Sequence, residues 1–177
     1  MRTDKWSRVA MAGIPWLIIL GMIFTAYLPI FRGTKYLLPV KPRDPRDFFR
    51  GNYVDLAYEF SNIPRGDIAL GIDAKKVYMF GDRLYLDFEK ADGVLKPIGL
   101  YDTAEAAKNI RLKVQPRFTI NESSTSFDIV AGIESFFAPK KEAEDWEKAL
   151  RDGKVFAEVA IDSGGNARIT ALKVQRK

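Results

Sequence analysis

The uncharged run from Val9 to Phe31 constrains this chain more than any other feature, because 23 residues follow one another without a charged side chain. As a helix rising about 1.5 Å per residue, the run is roughly 34 Å long, and the hydrocarbon core of a bilayer is about 30 Å thick. A removable signal peptide has a shorter apolar region and ends on small residues, whereas this run ends on Tyr27-Leu28-Pro29-Ile30-Phe31. The sequence therefore predicts an uncleaved transmembrane anchor whose partner is the lipid bilayer.

Basic residues flank the run on both sides: Arg2, Lys5 and Arg8 precede it, and Arg32, Lys35, Lys41, Arg43, Arg46 and Arg50 follow it. Counting Lys and Arg alone would place the flank with more of them, the one that follows the run, in the cytoplasm. A whole domain, however, translocates largely regardless of its charge. We therefore expect a single-pass protein with its N-terminus in the cytoplasm and its domain outside. Arg32, Lys35 and Lys41 are expected to contact anionic lipid headgroups, and a merely solvated basic linker is the alternative.

The chain divides into four parts by composition. Residues 1–8 are expected to form a short cytoplasmic tail and residues 9–31 the anchor. Residues 32–45 are basic and contain Pro39, Pro42 and Pro45, which predicts a stiff, extended juxtamembrane connection. Residues 46–177 are long enough for a single extracytoplasmic domain with its own core.

The absence of cysteine and histidine excludes several classes of site. Without cysteine there are no disulfides and no thiolate metal sites, and without histidine there is no Ser-His-Asp triad and no imidazole ligand. We expect no metal and no cofactor. Residues 32–177 contain 25 Lys and Arg against 22 Asp and Glu, and the basic excess lies just after the anchor. This pattern favours a membrane surface over nucleic acid.

Alternating apolar residues predict that the domain is mainly β. From residue 53 to residue 60, Val54, Leu56, Tyr58 and Phe60 share one face, and Tyr53, Asp55, Ala57 and Glu59 share the other. Further strands are predicted at residues 76–80, 83–89, 94–100, 110–118, 126–133, 154–162 and 167–174. A weak helix is predicted at 103–109 and a better one at 140–151, where Ala143, Trp146, Ala149 and Leu150 share a face. The expected fold is α+β, an antiparallel barrel-like or sandwich-like domain with one or two short helices.

Two segments carry a resemblance to a known family. From Pro42 to Tyr58, the residues Gly51, Tyr53, Leu56 and Tyr58 fall on the fixed positions of the GDYXXLXY signature, and Asn52 stands where the name has aspartate. The segment from Ala131 to Pro139 is similar to the second half of the same family. The resemblance implies a membrane-anchored bacterial protein, located in the cytoplasmic membrane, without an assigned activity.

The signature residues divide into structural and binding candidates. Gly51 suits a positive φ angle, and Leu56 and Tyr58 are expected to be buried together. A binding patch is predicted on the opposite strand face and beside it, formed by Arg50, Asn52, Tyr53, Asp55 and Glu59. Phe136 and Phe137 are expected to pack in the core or a loop.

Three functions remain open from the sequence. The first is an accessory module that binds another envelope protein, with a multi-pass membrane protein as the expected partner. The second is a lipid or small-ligand binder that uses the interior of the sheet. The third is a carboxylate-dependent hydrolase, which the spacing of Asp55 and Glu59 disfavours, since they lie about 13 Å apart along a strand.

Overall fold

A long N-terminal helix stands apart from a β domain in the computed structural model, which describes residues 4–42, 53–91, 93–151 and 155–174. Helix α1 comprises Asp4–Arg32 and contains the predicted anchor. Its Gly13–Arg32 part is 6 % buried and is long and apolar enough to cross a membrane. Pro29, near the C-terminal end of α1, is buried, whereas most side chains from Ile14 to Thr25 are exposed. The helix therefore contacts the domain only through its last turns.

Eleven strands within the described residues form one curled, half-barrel sheet. The strands are β1 (Thr34–Pro42), β2 (Tyr53–Tyr58), β3 (Asn62–Pro64), β4 (Ala69–Gly71), β5 (Leu84–Ala91), β6 (Val94–Tyr101), β7 (Ile110–Pro116), β8 (Ser126–Val130), β9 (Ser135–Phe137), β10 (Val155–Ile161) and β11 (Ala167–Val174). The main path runs β11-β10-β1-β6-β5-β7-β8-β3, while β2 pairs with β1 and β9, and β4 pairs with β6. Most pairs are antiparallel, and the pairs β1–β6 and β4–β6 are parallel.

The prediction of a mainly β domain is confirmed, and so is its barrel-like form. The predicted alternation in β2 is also confirmed, since Val54, Leu56 and Tyr58 are at most 3 % exposed. The strand is shorter than predicted, because it ends at Tyr58 and the buried Phe60 lies in a 3₁₀ turn, Glu59–Ser61. Helix α2 comprises Lys140–Arg151, as predicted, and contacts β1 and β2. Its apolar face is directed towards the core, because Ala143 and Leu150 are buried and Trp146 and Ala149 are partly buried.

The juxtamembrane segment differs from its prediction. It is extended, but residues Thr34–Pro42 form β1, which lies inside the sheet instead of connecting the sheet to the membrane. Strand β1 pairs along seven residues with β10, from Thr34 opposite Ile161 to Val40 opposite Val155. Leu38 and Val40 are buried. Pairing on both edges and burial outweigh the preference of proline for free extended chain, so the domain begins almost directly after α1.

Two other predictions are wrong in part. Residues 76–80 do not form a strand, and of these five residues only Tyr78 forms a bridge, to Ile120. The weak helix at 103–109 is a series of turns. Asp87, a buried carboxylate on β5, accepts hydrogen bonds from the backbone N–H of Lys108 at 3.2 Å and of Asn109 at 3.0 Å. These bonds satisfy the backbone of the loop and replace those that a helix would make.

The hairpin of β10 and β11 brings the end of α1 close to β7. The Gly165 carbonyl in its turn accepts a hydrogen bond from the Lys113 N–H at 2.8 Å. Gly165 has a φ of 83°, and a Cβ atom there would lie 3.1 Å from the Lys113 backbone nitrogen. Only glycine therefore fits this turn without strain. Three residues further on, at the start of β11, the Arg168 Nε donates to the Ala26 carbonyl of α1 at 3.2 Å.

Candidate interaction site at the signature segments

The two segments that resemble the family signature lie side by side in the structure. Strand β2 pairs with β9 in antiparallel register, with Val54 opposite Phe136 and Asp55 opposite Ser135. The contact continues past β9, because the Leu56 N–H donates to the Glu134 carbonyl oxygen at 2.7 Å. Segments about 80 residues apart in the sequence therefore form one structural unit.

Tyr58 joins the two segments through the core. Its ring is 3 % exposed and stacks on Phe60 at a centroid distance of 4.9 Å, and Phe60 in turn meets the edge of Phe88. Its hydroxyl donates a hydrogen bond to the Ile133 carbonyl oxygen at 2.7 Å. Burial, and to a lesser degree the charge of Glu134, raise the pKa of Tyr58 well above its usual range. The hydroxyl therefore stays protonated and remains a donor, which gives this signature tyrosine a structural role.

Glu134 shapes the loop that receives Tyr58. Its carboxylate accepts a hydrogen bond from the Ala131 N–H at 2.6 Å. Between the two, Gly132 has a φ of 74°, a conformation that other residues adopt only with strain. This local closure orients the Ile133 carbonyl towards Tyr58. No pattern in the sequence indicates this contact, because a loop carbonyl has no residue signature.

The outer face of β2 and β9, together with the 3₁₀ turn that follows β2, presents polar and aromatic side chains to solvent. Asp55, Glu59 and Ser135 are exposed, and Phe137 is 60 % exposed. Lys41 lies 3.4 Å from the carboxylate of Glu59, and the Ser135 hydroxyl lies 3.5 Å from that of Asp55. The two carboxylates therefore make separate contacts. We call the exposed side chains of Asp55, Glu59, Ser135 and Phe137 the outer strip.

Only part of the predicted binding patch therefore lies within the described residues. Asp55 and Glu59 lie on the exposed face, as expected. The backbone of Tyr53 is in β2, opposite Phe137. Arg50, Gly51 and Asn52 lie outside the described residues. Of the two phenylalanines expected to pack internally, Phe136 packs against the core, whereas the prediction is wrong for Phe137, because its register directs it to the outer face.

Two of the three basic residues expected at headgroups, Lys35 and Lys41, have partners within the domain. Lys35 donates to Glu158 at 3.0 Å, and Lys173 and Thr170 also donate to this carboxylate. The bond from Lys173, followed by those from Lys35 and Thr170, lowers the pKa of Glu158 to about 2. Lys41 pairs with Glu59, and Arg32 is exposed at the end of α1. Within the described residues, Arg32 is thus better placed for a headgroup than Lys35 or Lys41.

A shallow pocket of about 310 Å³ lies beside the signature loop, where β7 leaves β5 and pairs with β8. It is lined by Phe80, Arg83, Lys113, Val114, Gln115, Val130, Ala131, Gly132 and Glu134. The interior of the sheet, where a ligand site was one of the alternatives, contains large buried apolar side chains such as Phe88 and Phe127. In the part of the chain that the structure describes, no three acidic residues are grouped so that they could hold a metal ion.

Comparison with known proteins gives a match to a family model. The family model described as GDYXXLXY protein matches residues 15–172, which include α1 from its Pro15 onwards and nearly all of the β domain. No curated protein and no solved structure matches the chain.

Proposed function

Since the chain belongs to the GDYXXLXY family, we propose that it is a membrane-anchored, extracytoplasmic accessory module that binds another membrane protein, by preference a multi-pass one. The observation that carries this proposal is the contrast between α1 and the domain. The Gly13–Arg32 part of α1 is 6 % buried, although it includes Trp16, Leu17 and Phe24, each more than 60 % exposed. A lipid environment would cover this apolar surface at no cost to the fold.

The proposed orientation has the N-terminus in the cytoplasm and the β domain outside. A tag placed before residue 1 and one placed after residue 177 test it by protease protection in cells with a permeabilised outer layer. Protection of the N-terminal tag with digestion of the C-terminal tag is expected. The opposite pattern would place the domain in the cytoplasm and contradict the proposal.

The outer strip is the proposed contact surface for the partner. It combines an exposed aromatic side chain, Phe137, with the carboxylates of Asp55 on β2 and of Glu59 in the turn that follows β2. Binding energy at protein interfaces is concentrated in a few such aromatic residues, and surrounding charges contribute to the choice of partner. The strip also lies on the strand pair that the signature residues hold together, so it has a fixed shape.

Crosslinking in cells, followed by purification in mild detergent and mass spectrometry, tests this surface. We expect a specific membrane protein to be recovered with the natural chain and lost with Asp55→Lys, Phe137→Ala or Tyr53→Ala. Glu89→Lys is the matched control, because Glu89 is an exposed carboxylate on β5, outside the strip. Equal recovery with all variants would exclude the strip as the contact surface.

A lipid or small-ligand binder is the second candidate, and the pocket beside the signature loop supports it. Arg83, Lys113 and Phe80 line this pocket together. This arrangement suits a small molecule with an anionic group and an apolar part. The proposed ligand site therefore moves from the interior of the sheet to its rim.

A further inference from the structure

A group of large apolar side chains is exposed on the domain itself, on residues other than those of the outer strip. Val77, Met79, Phe80 and Phe118 are 52 %, 58 %, 74 % and 66 % exposed. We call these four residues the apolar turn. Phe80 and Phe118 lie on neighbouring segments, because each is two residues from the antiparallel bridge between Tyr78 and Ile120. A cluster of this kind on a soluble surface marks a site of interaction.

The fold holds this cluster in its exposed position. Tyr78 is 1 % exposed, its backbone forms two hydrogen bonds of 2.9 Å with Ile120, and its hydroxyl donates to Asp102 at 3.2 Å. Because Tyr78 is directed inwards, its neighbours Val77 and Met79 are directed outwards. The exposure is therefore a property of the structure and does not result from a loose loop.

The tip of the turn is fixed as well. The Asp82 N–H donates to the Met79 carbonyl at 3.0 Å, and the Asp82 carboxylate accepts from the Met79 N–H at 2.8 Å. Gly81 has a φ of 103°, which closes the turn. Phe80 stands at this tip with its ring in solvent.

Basic residues lie beside the apolar turn. Arg83 and Lys113 line the same pocket as Phe80, and Arg117 directly precedes Phe118. The carboxylates nearby have bonds within the protein, since Asp82 accepts from Met79 and Glu134 accepts from Ala131. An apolar tip beside basic residues complements the interface of an anionic bilayer, where rings meet acyl chains and cations meet phosphates.

The apolar turn is also connected to the end of α1 by a short series of contacts. Lys113, one of the basic residues beside it, is bonded to the turn of the β10–β11 hairpin, through Gly165 at 2.8 Å and Asn166 at 2.8 Å. The same hairpin touches α1 through Arg168 and Ala26. The apolar turn and the root of the helix therefore lie on adjoining parts of one surface.

From these observations we propose that the apolar turn is a second membrane contact, which enters the interface of an anionic bilayer beside α1. This inference rests on the proposed membrane anchoring. Phe80 and Phe118 lie at the boundary of headgroups and acyl chains, about 5–10 Å into the bilayer, as the apolar faces of interfacial segments do. Two contacts fix the tilt of the domain on the membrane, and the outer strip then faces a defined direction.

The chain contains no cysteine, so single cysteines can carry an environment-sensitive fluorophore without background labelling. The full chain is reconstituted in vesicles of phosphatidylglycerol and phosphatidylcholine, with a label at Met79→Cys, Leu20→Cys or Asp145→Cys. Asp145, on α2, is the exposed control. Quenching by lipid-borne spin labels and by aqueous iodide then reports the depth of each label.

We expect the label at position 79 to be quenched by shallow lipid spin labels and protected from iodide, and the label at 145 to show the reverse. Phe80→Ser with Phe118→Ser should return the label at position 79 to the aqueous pattern, and vesicles of phosphatidylcholine alone should weaken its lipid quenching. An aqueous pattern at 79 with a lipid pattern at 20 would overturn the proposal and leave the anchor intact. An aqueous pattern at position 20 would instead refute the anchoring on which the proposal rests.

Discussion

Removal of the Tyr58 hydroxyl tests how the two signature segments are held together. In Tyr58→Phe the ring remains, so the stack on Phe60 at 4.9 Å is preserved and only the 2.7 Å hydrogen bond to the Ile133 carbonyl is lost. The carbonyl then lies in a buried site without this donor. A buried group left unsatisfied costs about 1–3 kcal/mol, and we expect the free energy of unfolding to fall by about 2 kcal/mol.

For a chain of this size, 1 kcal/mol shifts the unfolding temperature by about 2–4 °C, so Tyr58→Phe should lower it by about 4–8 °C. The measurement is thermal unfolding of the full chain in detergent, followed by near-ultraviolet circular dichroism. Tyr85→Phe is the matched control, because Tyr85 is half-buried and its hydroxyl takes no part in joining the signature segments. A shift of less than about 1 °C for Tyr58→Phe would refute the structural role of this hydroxyl.

Three further changes test other parts of the structure. Glu158→Gln should cost about 1 kcal/mol at pH 7, since its partners are partly exposed. The pKa of Glu158 is lowered to about 2, so its ionised carboxylate stabilises the fold fully above about pH 4.5, near the usual pKa of the group. In urea unfolding, the difference in free energy of unfolding between the natural chain and Glu158→Gln should therefore vanish as the pH falls towards 2. Asp87→Ala leaves two backbone N–H groups unbonded and should lower the free energy of unfolding by about 2–4 kcal/mol, as measured by the same unfolding curves. Gly33→Ala would place a Cβ atom 2.3 Å from the Pro29 carbonyl and should speed proteolysis between α1 and β1, and an unchanged cleavage rate would contradict this.

Much of the fold could be predicted because its signals are local. The alternation of β2 is visible in the sequence because Val54, Leu56 and Tyr58 stand at every second position, and all three are buried as predicted. The apolar face of α2 has the helical period, and its helix begins and ends as expected. In both cases the burial of apolar side chains and the geometry of the backbone favour the same structure.

The wrong predictions involve residues whose partners are distant in the sequence. Thr34–Pro42 was expected to connect membrane and domain because its prolines favour free extended chain, but it pairs with β10, more than 110 residues later. Residues 76–80 were likewise expected to form a strand, but among them only Tyr78 pairs, with Ile120, which lies 42 residues later. Register across such separations depends on the packing of the whole sheet, which no short pattern encodes.

The sequence by itself determined that an apolar helix precedes a mainly β domain, and that the chemistry of this domain excludes thiols and imidazoles. These properties follow from composition and from patterns within a few residues. The tertiary structure alone decided that Tyr58 reaches the Ile133 carbonyl, that Phe137 is exposed while Phe136 is packed, and that Met79 and Phe80 stand in solvent. Each of these depends on where distant segments meet, because burial and hydrogen bonding are properties of the closed sheet.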